Sequence, residues 1–214
     1  MRTVAILPVK RFGAAKTRLG DAAGDVGRPA LAEAMVADVL AATARVRGLD
    51  EVLVVTAEPR AEALARVHGA RVVRDVREAG QSAAAKLGLQ RVRAADRAVL
   101  LPGDCPALDP SELDALLDEA PAPRSVVVVP DRWGTGTNGL VLTPPGALVP
   151  AFGIGSRARH ERAAAAAGLT CVVAEVPSLA LDVDSPEDLA ALRTALDARG
   201  GAARTRELLA LAVA

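Results

Sequence analysis

The chain is poor in aromatic rings, with no Tyr, one Trp and two Phe among 214 residues. Single-stranded nucleic acids are gripped by stacking bases on such rings, so a stacking platform is excluded. Net charge is missing too: 26 basic residues balance 26 acidic ones, which leaves no polycationic surface for a polyanion. Cysteine is limited to Cys105 and Cys171, whose spacing matches no metal motif; they read as small apolar fillers in a reducing compartment. No apolar run reaches the roughly 20 residues that span a bilayer. The apolar stretch at the N-terminus gives way to Pro8 and cations, which suits a first strand better than a signal peptide. A cytoplasmic location is expected, with neither nucleic acid nor membrane as partner.

Lysine is scarce as well. Of the 26 basic residues only Lys10, Lys16 and Lys86 are lysines, the other 23 being arginine. Lysine offers a compact, flexible point charge that the planar guanidinium does not reproduce. Two of the three stand close together in the first loop, which suggests that a point charge is needed there.

What is present is alternation. Runs rich in Val, Ile and Leu (TVAIL, EVLVVT, RVVRD, AVLL, SVVVVP) are separated by Ala- and Leu-rich helical patterns. That rhythm predicts a single-domain α/β fold, a mostly parallel sheet with helices on both faces. From DRWGTGTNGLVLTPP onward the pattern predicts a small antiparallel addition, then a helix from Ser156, a strand from Thr170 and a helix capped by Ser185 with Asp188. Residues 1–199 are read as the domain and 200–214 as a C-terminal helix or tail.

Sheets of this kind bind ligands beyond the carboxyl ends of their strands, and four polar clusters fall there: PVKRFGAAKTR, PGDC, the turn from Gly134 to Asn138, and DVD. PVKRFGAAKTRL carries Lys10, Arg11, Lys16 and Arg18 around Gly13, a combination of cations and approachable backbone suited to polyphosphate. It also fits an exposed basic loop. PGDC places Asp104 at the tip of the fourth strand, and LALDVDSPEDL places Asp182 and Asp184 two apart after another apolar run. Either acidic site alone can be a turn or cap aspartate. Together over one basic loop they describe a site for a metal-bound triphosphate. WGTGTNGL and FGIGSRARH are glycine-rich with Thr135, Thr137 and Ser156, hydroxyls able to hold a small anion beside a helix start. His160 is expected on a helix surface and His68 at a helix end. No Ser-His-Asp or Cys-His arrangement stands out, which disfavours covalent catalysis.

The ordered set PVKRFGAAKTRL, GDCPAL, GTGT, FGIGSRARH and LDVDSPEDL spans nearly the whole chain. It resembles the guanylyltransferases of coenzyme F-420 biosynthesis, nucleotidyltransferases of the glycosyltransferase-A-like, nucleotide-diphospho-sugar transferase fold. The resemblance implies transfer of GMP from GTP to phosphoenolpyruvate or 2-phospho-L-lactate with release of pyrophosphate, by a monomer or homodimer. It implies that Asp104, Asp182 and Asp184 bind Mg²⁺, with Lys16, Asp104 and Asp182 catalytic. Lys10, Arg18, Gly80, Gln81 and Ser82 would hold GTP, and Thr137, Gly153 and Ser156 the phosphorylated acid. Relatives carry a Leu-Asn pair where this chain has Gln81-Ser82. The rival enzymes are molybdopterin and sugar-phosphate nucleotidyltransferases, whose GGxSxRMG-like first loop is absent here. The rival outside catalysis is a nucleotide-binding domain of the same fold.

Overall fold

In the computed structural model, residues 1–16, 18–19, 27–119 and 123–211 are described. Thr17, Ala120 and the last three residues of the expected C-terminal helix lie outside them. The first strand, β1 (Thr3–Val9), shows why the apolar runs are continuous rather than alternating. Val4 and Ile6 enter one apolar cluster, while Ala5, Leu7 and Val9 enter another. Both faces of the strand are buried, as a sheet covered on two sides requires.

Six more strands follow: β2 (Glu51–Thr56), β3 (Arg71–Arg74), β4 (Arg97–Leu100), β5 (Ser125–Val129), β6 (Gly139–Thr143) and β7 (Thr170–Val173). Their spatial order is β3-β2-β1-β4-β6-β5-β7. Neighbours pair in parallel except around β6, which runs antiparallel to both β4 and β5. The antiparallel addition is thus a single strand threaded through the sheet. Its first residue is a glycine in a tight place, since a Cβ on Gly139 would lie 2.7 Å from Leu179 Cδ2 and 3.0 Å from Val129 Cβ and would force the buried Leu179 to shift.

The helices are α1 (Arg28–Thr43), α2 (Pro59–Val67), α3 (Gln81–Arg91), α4 (Pro110–Asp118), α5 (Ser156–Ala166), α6 (Pro177–Ala180), α7 (Pro186–Arg199) and α8 (Ala203–Leu211). α1, α2 and α4 pack on one face of the sheet, α3 and α5 on the other. Three of them begin with a side-chain cap followed by proline at the first turn. Glu58 accepts from Arg60 N, Asp109 from Ser111 N, and Ser185 with Asp188 forms the expected capping box. The four-residue α6 has no counterpart in the sequence reading. Among the described residues no helix is long and apolar enough to cross a membrane.

The topology creates one crevice. From β1 the chain winds outward through β2 to β3, then returns to place β4 on the other flank of β1. Open α/β sheets bind their ligands at such a reversal, beyond the carboxyl ends of the two strands. The lysine loop leaves the end of β1 there, and Asp104 follows β4.

A third apolar cluster joins Leu31 and Met35 of α1, Leu189, Leu192 and Leu196 of α7, and Leu209 of α8. Its polar lock is Asp38, only 7% exposed. One carboxylate oxygen accepts Arg204 N at 3.1 Å and the other accepts Thr205 N at 2.7 Å. A side chain of α1 therefore satisfies the unpaired amides that open α8. Asp38→Ala leaves those donors buried without a partner and is expected to cost about 1–3 kcal/mol, measured by urea unfolding; Asp38→Asn should recover part of it.

Candidate active site

The loop after β1 turns through a short 3₁₀ segment, Phe12–Ala14, and reaches Lys16 in the left-handed backbone region at φ 58°. A lysine held there carries local strain, which a fold keeps where it positions a group. The Lys16 side chain is buried, and its ammonium bonds two carboxylates at once. One is Asp104, and the other is Asp184 Oδ1 at 2.9 Å. Burial opposes a charge on Lys16, but the two aspartates outweigh it and hold the ammonium above its ordinary range.

Asp104 and the 182–184 segment are bound backbone to backbone, with Val183 N donating to Asp104 O at 3.1 Å. Val183 is fully buried, so Asp182 and Asp184 flank an anchored residue. Asp184 turns to Lys16. Burial acts against its charge, yet Lys16, aided by Lys10 and Arg18, keeps its carboxyl below the usual range. Asp182 instead accepts Asn138 Nδ2 at 3.0 Å. Burial and the negative charge of Asp104 raise its carboxyl to about 6. Three carboxylates thus share a crevice with a single buried cation, and one of them cannot ionise freely. That donor set suits a divalent cation, because Mg²⁺ takes one or two carboxylates and completes its shell with phosphate and water. Among the described residues no ready-made cage of three or more His, Cys, Asp or Glu is present.

Beside this trio lies a cavity of about 360 Å³, bounded by Lys10, Phe12, Met35, Gly80, Gln81 and Asp104. Gly80, at φ 95°, opens α3 and so aims that helix's first amides at the crevice. Arg11 and Glu78 pair across the rim, the guanidinium donating to both carboxylate oxygens at 2.9–3.0 Å. The Gln81 side chain has no protein partner among the described residues. Ser82 does: its Oγ accepts Phe152 N at 2.9 Å.

The remaining residues gather in a second, largely buried wall of hydrogen-bonded side chains. Thr137 Oγ1 accepts from Ser156 Oγ at 3.1 Å and lies 3.1 Å from His160 Nδ1. Ser156 N donates to Gly153 O at 2.9 Å, with Gly153 at φ 108°. Asn138, next to Thr137, spends its amide on Leu179 O, Ala180 O and Asp182 Oδ1. It ties this wall to the acidic trio.

The expected site residues therefore come together from six segments of the chain. Lys16, Asp104 and Asp184 touch directly, Asp182 joins through Val183 and Asn138, and Thr137, Gly153 and Ser156 form one hydrogen-bonded group. His160 is not on the helix surface as its sequence context predicts; it is completely buried, because α5 turns that face onto Phe152 and the 151–155 loop. His68 ends α2 as expected. Cys105 is buried filler, its thiol on Leu179 O. Asn138 enters the sequence reading only as the end of a polar turn; its bridging role is missed there, its one signal being a polar side chain set immediately before a buried strand.

A profile of the family described as "Guanylyl transferase CofC like" matches residues 3–209. A phosphoenolpyruvate guanylyltransferase of Conexibacter woesei is 51% identical over 213 residues, 98% of this chain and 96% of the relative. A 3-phospho-D-glycerate guanylyltransferase of Phenylobacterium zucineum is 43% identical over 191 residues, 86% of each chain. In fold, a nucleotidyl transferase from Methanothermobacter thermautotroptrophicus superposes with a TM-score of 0.66 at 17% identity, covering 92% of this chain and 99% of that one.

Burial, with Arg159 nearby, pushes the His160 imidazole from 6.5 down to about 4. The neutral ring is native, so its contribution to stability is complete above 6.5 and is lost as pH falls toward about 4, where the unfolded chain alone takes up the proton. Urea unfolding across that interval should show wild type losing stability more steeply than His160→Phe.

Proposed function

Because the chain belongs to the family of CofC-like guanylyl transferases, we propose that it joins the GMP of GTP to the phosphate of phosphoenolpyruvate, a reaction serving coenzyme F-420 synthesis in the cytoplasm. The enzyme is a nucleotidyltransferase. What carries the reading is the crevice itself, where Lys16 meets Asp104, beyond β4, and Asp184, from the segment after α6, beside a cavity of nucleotide size.

GTP occupies that cavity, with Gly80, Gln81 and Ser82 at the base and Lys10, Lys16 and Arg18 along the triphosphate. Asp104, Asp182 and Asp184 would hold Mg²⁺, which would supply neutralisation of charge on the phosphates and on the departing pyrophosphate. Thr137, Gly153 and Ser156 receive the phosphorylated acid. A phosphate oxygen of that acid attacks the α-phosphorus in line; the new P–O bond forms as the bond to the α,β-bridging oxygen breaks, and pyrophosphate leaves. The attacking oxygen is already anionic, so no general base is required. Lys16 and the loop cations act by positioning and by charge. Phosphoenolpyruvate is favoured by the 51%-identical relative named for it. 3-Phospho-D-glycerate is the second reading, favoured by the 43%-identical relative.

Two measurements test this. Pyrophosphate release from GTP and Mg²⁺ should be fastest with phosphoenolpyruvate, ahead of 3-phospho-D-glycerate and 2-phospho-L-lactate; equal silence with all three would reject the reading. Asp104→Asn should lower turnover by about a hundredfold or more while its unfolding midpoint stays near that of wild type.

A further inference from the structure

A buried hydrogen-bond chain has a direction, and here a backbone amide sets it. The Ala151 N–H can only donate, and its partner at 2.9 Å is His160 Nε2. Nε2 therefore carries no proton, and a neutral imidazole must then keep its single proton on Nδ1. Nδ1 faces Thr137 Oγ1 at 3.1 Å and donates to it. Ser156 Oγ donates to the same oxygen at 3.1 Å. Both lone pairs of Thr137 are then taken, and its own O–H has no acceptor among the described residues. If the proton between the two hydroxyls runs the other way, Ser156 holds the spare O–H instead. Either arrangement leaves one hydroxyl donor over.

The relay is rigid. Thr137, Ser156 and His160 are 7%, 1% and 0% exposed. Phe152 meets the imidazole edge-on, centroids 5.4 Å apart at 75°. Arg159 fixes the same loop by donating to Ala151 O and Phe152 O. Burial favours the uncharged ring, as the direction of the chain requires.

We propose that His160 is a positioning residue for transfer: as the Nδ1–H tautomer it cannot accept a proton from the Thr137–Ser156 pair, so that whichever way those two hydroxyls point to each other, the pair keeps one hydroxyl donor for an anionic oxygen of the acceptor acid. The proposal rests on reading Thr137 and Ser156 as acceptor-binding residues. It separates the role of His160 from acid–base catalysis, since its proton stays on Nδ1 throughout.

The chain holds two histidines, so a long-range ¹H–¹⁵N spectrum of the wild-type protein resolves both, and His160→Phe identifies the signal. His160 should be the Nδ1–H tautomer; an Nε2–H tautomer overturns the proposal without reference to activity. His160→Phe keeps the ring and removes the relay. It should raise the KM for the acceptor acid about tenfold or more while moving the KM for GTP less than about twofold. His160→Asn, whose amide can donate to Thr137, should recover part of the loss. Acceptor KM unchanged in His160→Phe overturns the proposal. Wild-type silence with every acid tested would instead sink the acceptor reading, and the tautomer would still decide the order of the relay.

Discussion

The arrangement depends on how many negative charges one crevice can tolerate. Asp104, Asp182 and Asp184 are drawn together by the backbone, since Val183 N is bonded to Asp104 O and Val183 is locked in the core. No side-chain preference assembled them, and their mutual repulsion opposes it. Lys16 relieves two of the three, and the third shows the strain in a carboxyl raised to about 6. A protein that only needed a stable loop here would place one aspartate, or none. The excess charge makes sense if the site is finished by its ligands.

The sheet supplies the rigidity that this concentration of charge needs. Asp104 follows directly from β4, buried at every position, and the lysine loop follows β1, its hydrogen-bonded neighbour. The threaded strand β6 adds the other half. Because β6 runs against its neighbours, its first residues lie at the same end of the sheet as the carboxyl ends of β4 and β5. Thr137 and Asn138 thereby arrive at the crevice from the opposite chain direction. In an all-parallel sheet that position would hold the end of a strand, and a loop would have to travel back to deliver the same groups.

Much of this was legible from the residues. The apolar runs declared a sheet covered on both faces. The scarcity of lysine picked out Lys16, and the abrupt ends of the runs at Asp104 and Asp182 marked the acidic tips. What could not be read was which polar groups lie inside. His160 sits in a helix of Arg, Glu and Ala whose pattern favours solvent, and only the fold of the 151–155 loop over α5 buries it. Asn138 is equally silent, because its three acceptors are carbonyl and carboxylate groups some 40 residues onward in sequence. Pattern reports which face of an element is apolar. It does not report which distant backbone will need a hydrogen-bond partner.

The same distinction bears on Gln81-Ser82, the pair that opens α3. Ser82 Oγ accepts the Phe152 amide, so the first turn of α3 is tied to the loop that holds His160. With Asn138 on Asp182, that gives two hydrogen-bond bridges between the residues around the crevice and the segments that carry Thr137 and His160. A hydroxyl used in this way keeps its O–H for a ligand and has given up a lone pair. Gln81 retains a full amide, donor and acceptor both, and is the better equipped of the two to read a purine edge. The two neighbours are therefore differently engaged: Ser82 ties α3 to the 151–155 loop, while Gln81, on the cavity wall, has no side-chain partner among the described residues.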